Sequence, residues 1–391
     1  MSAYLQMGHD SENLVGVLGL GGFAGLILSP VNRSEADLGD GVRDFRQKGQ
    51  FDIVLDPQLY CPQSERGQLP SHSYFPRDLD TADPSSESWW RELVAKVAAE
   101  GVRLQVDAVC SPAVLPRKYG PEYYARCSDT YSMLAAELNG TAIRPLLTVC
   151  VALKDLAEPN DALRIGSIVT AHGPKDSYIV IEADVEPRRE IADAANLFSA
   201  MVLISALEKS GCKTLVSHCS SDMALMKAAG ASHCASGKFF NLRRFSRSRF
   251  DEQQEGGGGQ LPYWFEHNLF AFLREADIAR VRRDGLGDFI GGGDSNNTFA
   301  GQILEKFANE PEKPWVALSW RQYLAWFAAT EKRLSDSEAL TIVSRWLREA
   351  EERWLALDDK DVLLEETRNN GKWIRPWRQA LGDFRRFESQ G

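Results

Sequence analysis

Between residues 24 and 235 the chain repeats one rhythm, in which a short apolar run ends in polar, glycine or proline residues and a stretch of helical periodicity follows. The apolar runs lie at 24–29, 51–55, 102–106, 143–151, 178–181, 214–217 and 231–235. Helical stretches lie at 88–100, 122–139, 161–171, 193–209 and 222–229. The runs are too uniformly apolar for a sheet with one wet face and suit parallel strands covered on both sides. Seven or more such units predict an α/β fold closed into a (β/α)8 TIM barrel, with an open doubly wound sheet as the alternative.

With 391 residues and 43% hydrophobic content, the chain exceeds the roughly 250 residues of a single α/β barrel and has length left for an appendage. The barrel is expected over 1–285, with a helical C-terminal region at 286–391 packing on it. The rhythm changes after 251: a glycine stretch at 256–259 precedes a segment at 263–283 that reads as one strong helix. A second glycine loop at 291–293 leads into a Trp-rich helical tail. Neither glycine stretch ends in the Lys-Ser/Thr of a phosphate loop, so both read as linkers or loops.

The seven cysteines include no C-x-x-C pair, which argues against a disulfide framework or a thiolate zinc site. The formal net charge of -10 disfavours indiscriminate coating of nucleic acid, which is driven by phosphate neutralisation. No apolar run approaches the roughly 18 residues of a membrane span, and no leader pattern opens the chain, so a cytoplasmic protein without a membrane partner is expected.

Three segments, in order, carry a family resemblance. FDIVLDPQLY at 51–60 has an apolar strand ending in an Asp, a short turn and an aromatic. LQVDAVCSP at 104–112 has an Asp followed by a Cys and a Pro-containing turn. The longest combines SHCSSDMALMKAAGASHCASGKFFNLRRF at 217–245 with EHNLFAFLREADIARVRRDG at 266–285. Together, over roughly residues 20–285, they resemble the tRNA-guanine transglycosylase superfamily. The resemblance implies a TIM barrel that cuts a bond between nucleobase and sugar, with Asp56 at the barrel mouth and Asp107 recognising the base. The departures are specific. Ala235 stands where the family has its nucleophilic Asp. The interval expected to hold the zinc cysteines reads FDEQQEGGGGQLPYWFE, and the family's Gly-Gly-Leu base-reading loop falls at Glu182, Ala183 and Asp184. No metal or other cofactor is therefore expected, and queuosine-type exchange in tRNA is disfavoured.

Cleaving an N-glycosidic bond builds positive charge on the sugar, which a nearby carboxylate stabilises. Without the nucleophile, attack by water replaces base exchange. Asp56 is expected to stabilise the cationic sugar or activate water, and Asp107 to hold or protonate the base. Glu182, Asp184, Asn32 and Tyr60 are expected to line the substrate pocket. Lys238 is read as a phosphate contact, or as an amine forming a Schiff base. Each has a plainer reading: Asp56 and Asp107 as strand-end turn formers, Glu182 and Asp184 as a solvated strand end. His218 and His233, each in a Ser-His-Cys triplet, suit core histidines better than metal ligands.

The run from Lys238 to Arg249 holds Arg243, Arg244, Arg247 and Arg249 among phenylalanines and no acid, a mixture suited to phosphates beside stacked bases. A second run at 372–387, including Lys372 and Arg375, reads equally as a DNA contact or as an amphipathic helix packed on the barrel. The combined expectation is a glycosylase that excises a modified, flipped-out base from DNA, favoured over tRNA, and leaves an abasic site, with phage defence as a context. The alternatives are a transglycosylase inserting a deazaguanine and a catalytically inactive nucleic-acid-binding barrel.

Overall fold

The computed structural model describes residues 3–17, 20–78, 86–250, 261–309, 315–364 and 370–390. In chain order the barrel consists of β1 (Ala3–Gln6), β2 (Phe23–Ile27), α1 (Glu35–Lys48), β3 (Asp52–Leu55), α2 (Glu87–Leu104), β4 (Ala108–Cys110), α3 (Pro121–Glu137), β5 (Arg144–Ala152), α4 (Pro159–Val169), β6 (Asp176–Glu182), α5 (Ala194–Lys209), β7 (Lys213–Val216), α6 (Met223–Ala228) and β8 (His233–Ser236). Each strand pairs in parallel with the next, and β8 closes on β1 with Ala235 opposite Tyr4 and Ser236 opposite Leu5. The fold is therefore a (β/α)8 barrel. Local chemistry sets the helix starts: Ser34 and Asp193 accept from the backbone of Asp37 and Asn196, and Pro121 and Pro159 open α3 and α4.

Two segments differ from expectation in ways that matter for the site. Residues 102–104 belong to α2, not to a strand. Val94, Val97, Ala98, Gly101 and Leu104 are buried at helical spacing while Val102 is exposed. Gly101 lets the helix lie against β4, since a Cβ there would meet Val109 at 2.4 Å. Gln105 then ends the helix with a left-handed φ of 55°. The strand thus starts at Ala108, so Asp107 precedes it. Residues 263–283 are not one helix either: β9 (Trp264–Glu266) and β10 (Ala271–Leu273) form an antiparallel hairpin before α7 (Glu275–Arg283). Clustered aromatics favour the hairpin, and Glu266 fastens its turn by accepting from the backbone of Asn268, Gly291 and Gly292. β1 and α1 were not anticipated. The 256–259 glycine stretch lies outside the described residues.

The N-terminal end of the barrel is closed by charge and one ring. Arg144 reaches Asp52 at 2.6 Å and Asp176 at 3.7 Å, and the Tyr4 hydroxyl donates to Asp52. Gly25 makes room for this, because a Cβ there would meet the Tyr4 ring at 2.3 Å.

Beyond the hairpin come α8 (Thr298–Asn309), α9 (Val316–Arg333), α10 (Ala339–Asp359) and α11 (Ile374–Gln390). A buried ion pair between Lys227 of α6 and Glu331 of α9, at 3.2 Å, ties this region to the barrel. α11 lies along α5, with the Trp377 indole N–H donating to the Ile191 carbonyl at 2.7 Å near one end and Glu388 bonded to Ser205 and Lys209 near the other. α5 is apolar nearly all round, as a helix covered on both sides must be. Among the described residues no helix is long and apolar enough to cross a membrane. Trp377→Ala, which empties a fully buried site on α11 and removes that bond, is expected to lower unfolding free energy by about 3–5 kcal/mol in denaturant titration. A loss below about 1 kcal/mol would show that the tail is not part of the cooperative unit.

Candidate functional site

At the C-terminal end of β3 the Asp56 carboxylate points into the barrel and is 1% exposed. One oxygen accepts from the Gln58 backbone N–H at 2.9 Å; the other lies 2.9 Å from the Tyr60 hydroxyl and 3.2 Å from that of Tyr178, which crosses from β6. Tyr178 also reaches the Gln6 side-chain oxygen of β1 at 3.2 Å. Its single proton serves either Gln6 or Asp56, so the protonation of Asp56 is coupled to this chain. Burial pushes the Asp56 carboxyl up to about 6, against the lowering effects of the Gln58 N–H, Tyr60, Arg249 and Tyr178.

Arg249 links this acid to the surface. Its guanidinium donates to His218 Nε2 at 2.7 Å, which fixes that nitrogen as the acceptor and leaves Nδ1 to donate to Ser217 Oγ at 3.0 Å. Burial, then the Arg249 charge, holds the His218 imidazole neutral, well below its usual value, and burial also pulls Arg249 down. His218 adopts a left-handed φ of 55° at the end of β7, a strained conformation for a non-glycine residue. Arg249 also lines an open cleft of about 420 Å³ with Gly8, His9, Asn32, Arg66 and Asn241. The loops after β1, β2, β3 and β8 build that cleft.

The mouth itself is covered by the segment that follows β8. Phe245 and Phe250 are fully buried and pack edge-on against Tyr60 at 5.0 and 5.4 Å, and the Phe245 carbonyl accepts from Ala183 N beyond β6. The run expected to grip nucleic acid is consumed in holding this cover down. Arg243 is fully buried, with its carbon 3.6 Å from the Tyr323 ring centre, and donates to the Gly237 and Lys238 carbonyls and the Tyr263 hydroxyl. Arg244 is buried against Glu190 at 3.1 Å and Asp222 at 3.8 Å. Arg247 pairs with Glu182 at 2.5 Å, and Arg249 is turned inward as described. Arg243, Arg244 and Arg247 are therefore anchors rather than a cationic lip, and only Arg249 of the four also lines the cleft. Desolvating guanidinium groups requires such partners, and the absence of acids within the run itself is what hid them.

The other expected site residues divide clearly. Asp56 and Tyr60 meet, but Tyr60 holds the carboxylate instead of facing a pocket. Asn32 lines the cleft, with its amide donating to Ser29. Glu182 and Asp184 line a different cavity of about 240 Å³ with Lys154, Arg247 and Ser248, on the far side of the cover. Lys238 lies against Phe239 and Trp320, with its ammonium 4.7 and 4.9 Å from the ring centres. Asp107 faces the opposite end of the barrel, bonded to Arg46 at 2.8 Å and the Ile53 backbone N–H at 2.6 Å, and shares nothing with Asp56. Because it precedes its strand, it belongs to the end where barrel residues serve stability. Lys372 is exposed; Arg375 pairs with Glu351, while Trp373, Trp377 and Phe384 beside them are buried in the packing of α11. Arg66 and Tyr178 had no motif to announce them; His218 was visible only as a core histidine.

No protein-family model and no curated protein matches the chain. Among solved structures it is similar to deoxyribose phosphate aldolase from Aeropyrum pernix, at 18% identity over 58% of this chain and 88% of that one, with a TM-score of 0.32. It is likewise similar to the tryptophan synthase complex from Pyrococcus furiosus, at 15% identity over 60% and 86%, TM-score 0.31. FabK from Thermotoga maritima gives 12% identity over 99% and 94%, TM-score 0.32. None of the three is a tRNA-guanine transglycosylase, and likenesses this distant carry no argument about chemistry. The barrel stands on its own strand pairing.

The Asp56 environment has a measurable signature. A carboxyl raised from 3.8 to about 6 on folding favours the native state while protonated, so its contribution declines as pH rises from about 4 to 6 and stays lost above that. Relative to Asp56→Asn, wild-type stability is expected to fall by about 3 kcal/mol across that window. Parallel stability curves for the two proteins, measured by denaturant titration from pH 4 to 8, would refute the assignment.

Proposed function

We propose that this protein is an enzyme that hydrolyses the N-glycosidic bond of a nucleotide unit at the C-terminal mouth of the barrel, releasing the base. The observation that carries this reading is Asp56: a buried carboxylate at a strand's C-terminal end, raised to about 6, electrostatically coupled to an arginine that opens onto a cleft of ligand size. The resemblance of residues 51–60 to the transglycosylase strand assigns the same residue. Above pH 6 the carboxylate is mostly ionised and stabilises positive charge growing on the sugar, from a site where few water dipoles screen it. Water supplies the hydroxyl to the anomeric carbon, and the departing base takes up a proton. Asp107 has no part in this, so one carboxylate replaces the expected pair. A base inside a duplex does not reach such a mouth, and the substrate unit is taken as flipped out of a DNA strand.

The test is incubation with single-stranded DNA carrying modified bases, reading released base by mass spectrometry and abasic sites by alkaline cleavage. Base release that falls at least about 100-fold in Asp56→Asn is expected. Incorporation of labelled free base instead indicates exchange. One observation favours a second reading, a binding protein without catalysis: both Asp56 oxygens already have partners within the chain. Release absent from every substrate, with DNA binding unchanged by Asp56→Asn, would establish that reading.

A further inference from the structure

The cleft lined by Arg249 has other residues that the glycosidic reading does not explain. Arg66 and Arg249 both face it, together with the carboxamides of Asn32 and Asn241, and no acidic side chain lines it. The Arg66 side chain makes no hydrogen bond or ion pair among the described residues, in contrast to the anchored Arg243, Arg244 and Arg247. Arg249 is 9% exposed and lines the cleft, and among the described residues its guanidinium has one hydrogen-bond partner, His218 at Nη1. The two guanidinium groups repel one another. Such an arrangement is held at a cost that an anion would offset.

The loop carrying Arg66 is placed with care. Gly67 has φ +56°, and a Cβ there would meet the Val31 carbonyl at 2.2 Å, while Gln68 N donates to that same carbonyl at 2.9 Å. The glycine brings the β3 loop hard against the β2 loop, in the same cleft that Arg249 lines. Guanidinium forks match the geometry of phosphate oxygens, and carboxamide and imidazole donors supply further hydrogen bonds.

We propose that this cleft binds a phosphoryl group, gripped between Arg66 and Arg249 with Asn32 and Asn241 completing the shell. The glycosidic reading enters only in what the phosphate is attached to: a nucleotide whose sugar lies towards Asp56. Phosphate capture itself does not depend on it.

The experiment is calorimetric titration of the full chain with inorganic phosphate, 2-deoxyribose 5-phosphate and 2-deoxyribose. Both phosphates are expected to bind and the unphosphorylated sugar to bind at least tenfold more weakly. Arg66→Gln is expected to weaken both phosphates at least tenfold with an unchanged melting temperature, because the substitution removes no side-chain hydrogen bond or ion pair among the described residues. Asn241→Ala, at an exposed position, provides a second variant with the same direction of effect. Absence of phosphate binding, or equal affinity in wild type and Arg66→Gln, would overturn the proposal. Phosphate capture lost with base release intact removes this proposal alone; capture retained with no base released from any DNA removes the glycosidic reading alone.

Discussion

A barrel of eight short parallel strands has an apolar interior that must be sealed from the end where its loops diverge. In this protein the seal is the segment after β8, which spans the mouth from β8 to β6 with Phe245 and Phe250 pressed on Tyr60. Everything about the site follows from that placement. The cover removes water from Asp56, raises its carboxyl, and divides the mouth into one cavity beside β5 and β6 and a second beside β1 to β3.

The cover also explains why a strongly basic segment sits in an acidic protein without forming a basic surface. Arginine is suited to such work because its planar head satisfies several acceptors while its faces lie on aromatic rings, as Arg243 does among Tyr323, Tyr263 and Phe272. The partners come from distant elements: Glu182 from β6, Glu190 from the β6–α5 loop, Asp222 from the start of α6. Local sequence reading counts charges within a window, and these pairs close only when the barrel does.

Much of the architecture was legible because short apolar runs and period-3.6 patterns report burial directly, and the strands at 51–55, 143–151, 178–181 and 214–217 are recovered within a few residues. The segment at 102–106 failed for a definite reason. A five-residue run with Val102, Leu104 and Val106 is compatible with the last turn of a helix, and only the longer Val94–Leu104 spacing separates the two. That misreading, with the role that the resemblance of 104–112 implied, created the expected pair of carboxylates. Asp56, whose strand was read correctly, kept its position. Arg66 escaped notice because a lone arginine in a loop carries no pattern; its significance lies in what it does not touch.

The packing of α11 on α5 bears on how the chain acquires its shape. α5 lies between β6 and β7 with apolar residues on its outer side, and the helix that covers them comes after all eight strands. A nascent barrel already closed by β8 therefore still presents a greasy helix until α11 has been made. Closure of the strands and burial of α5 are separate events in the making of this chain.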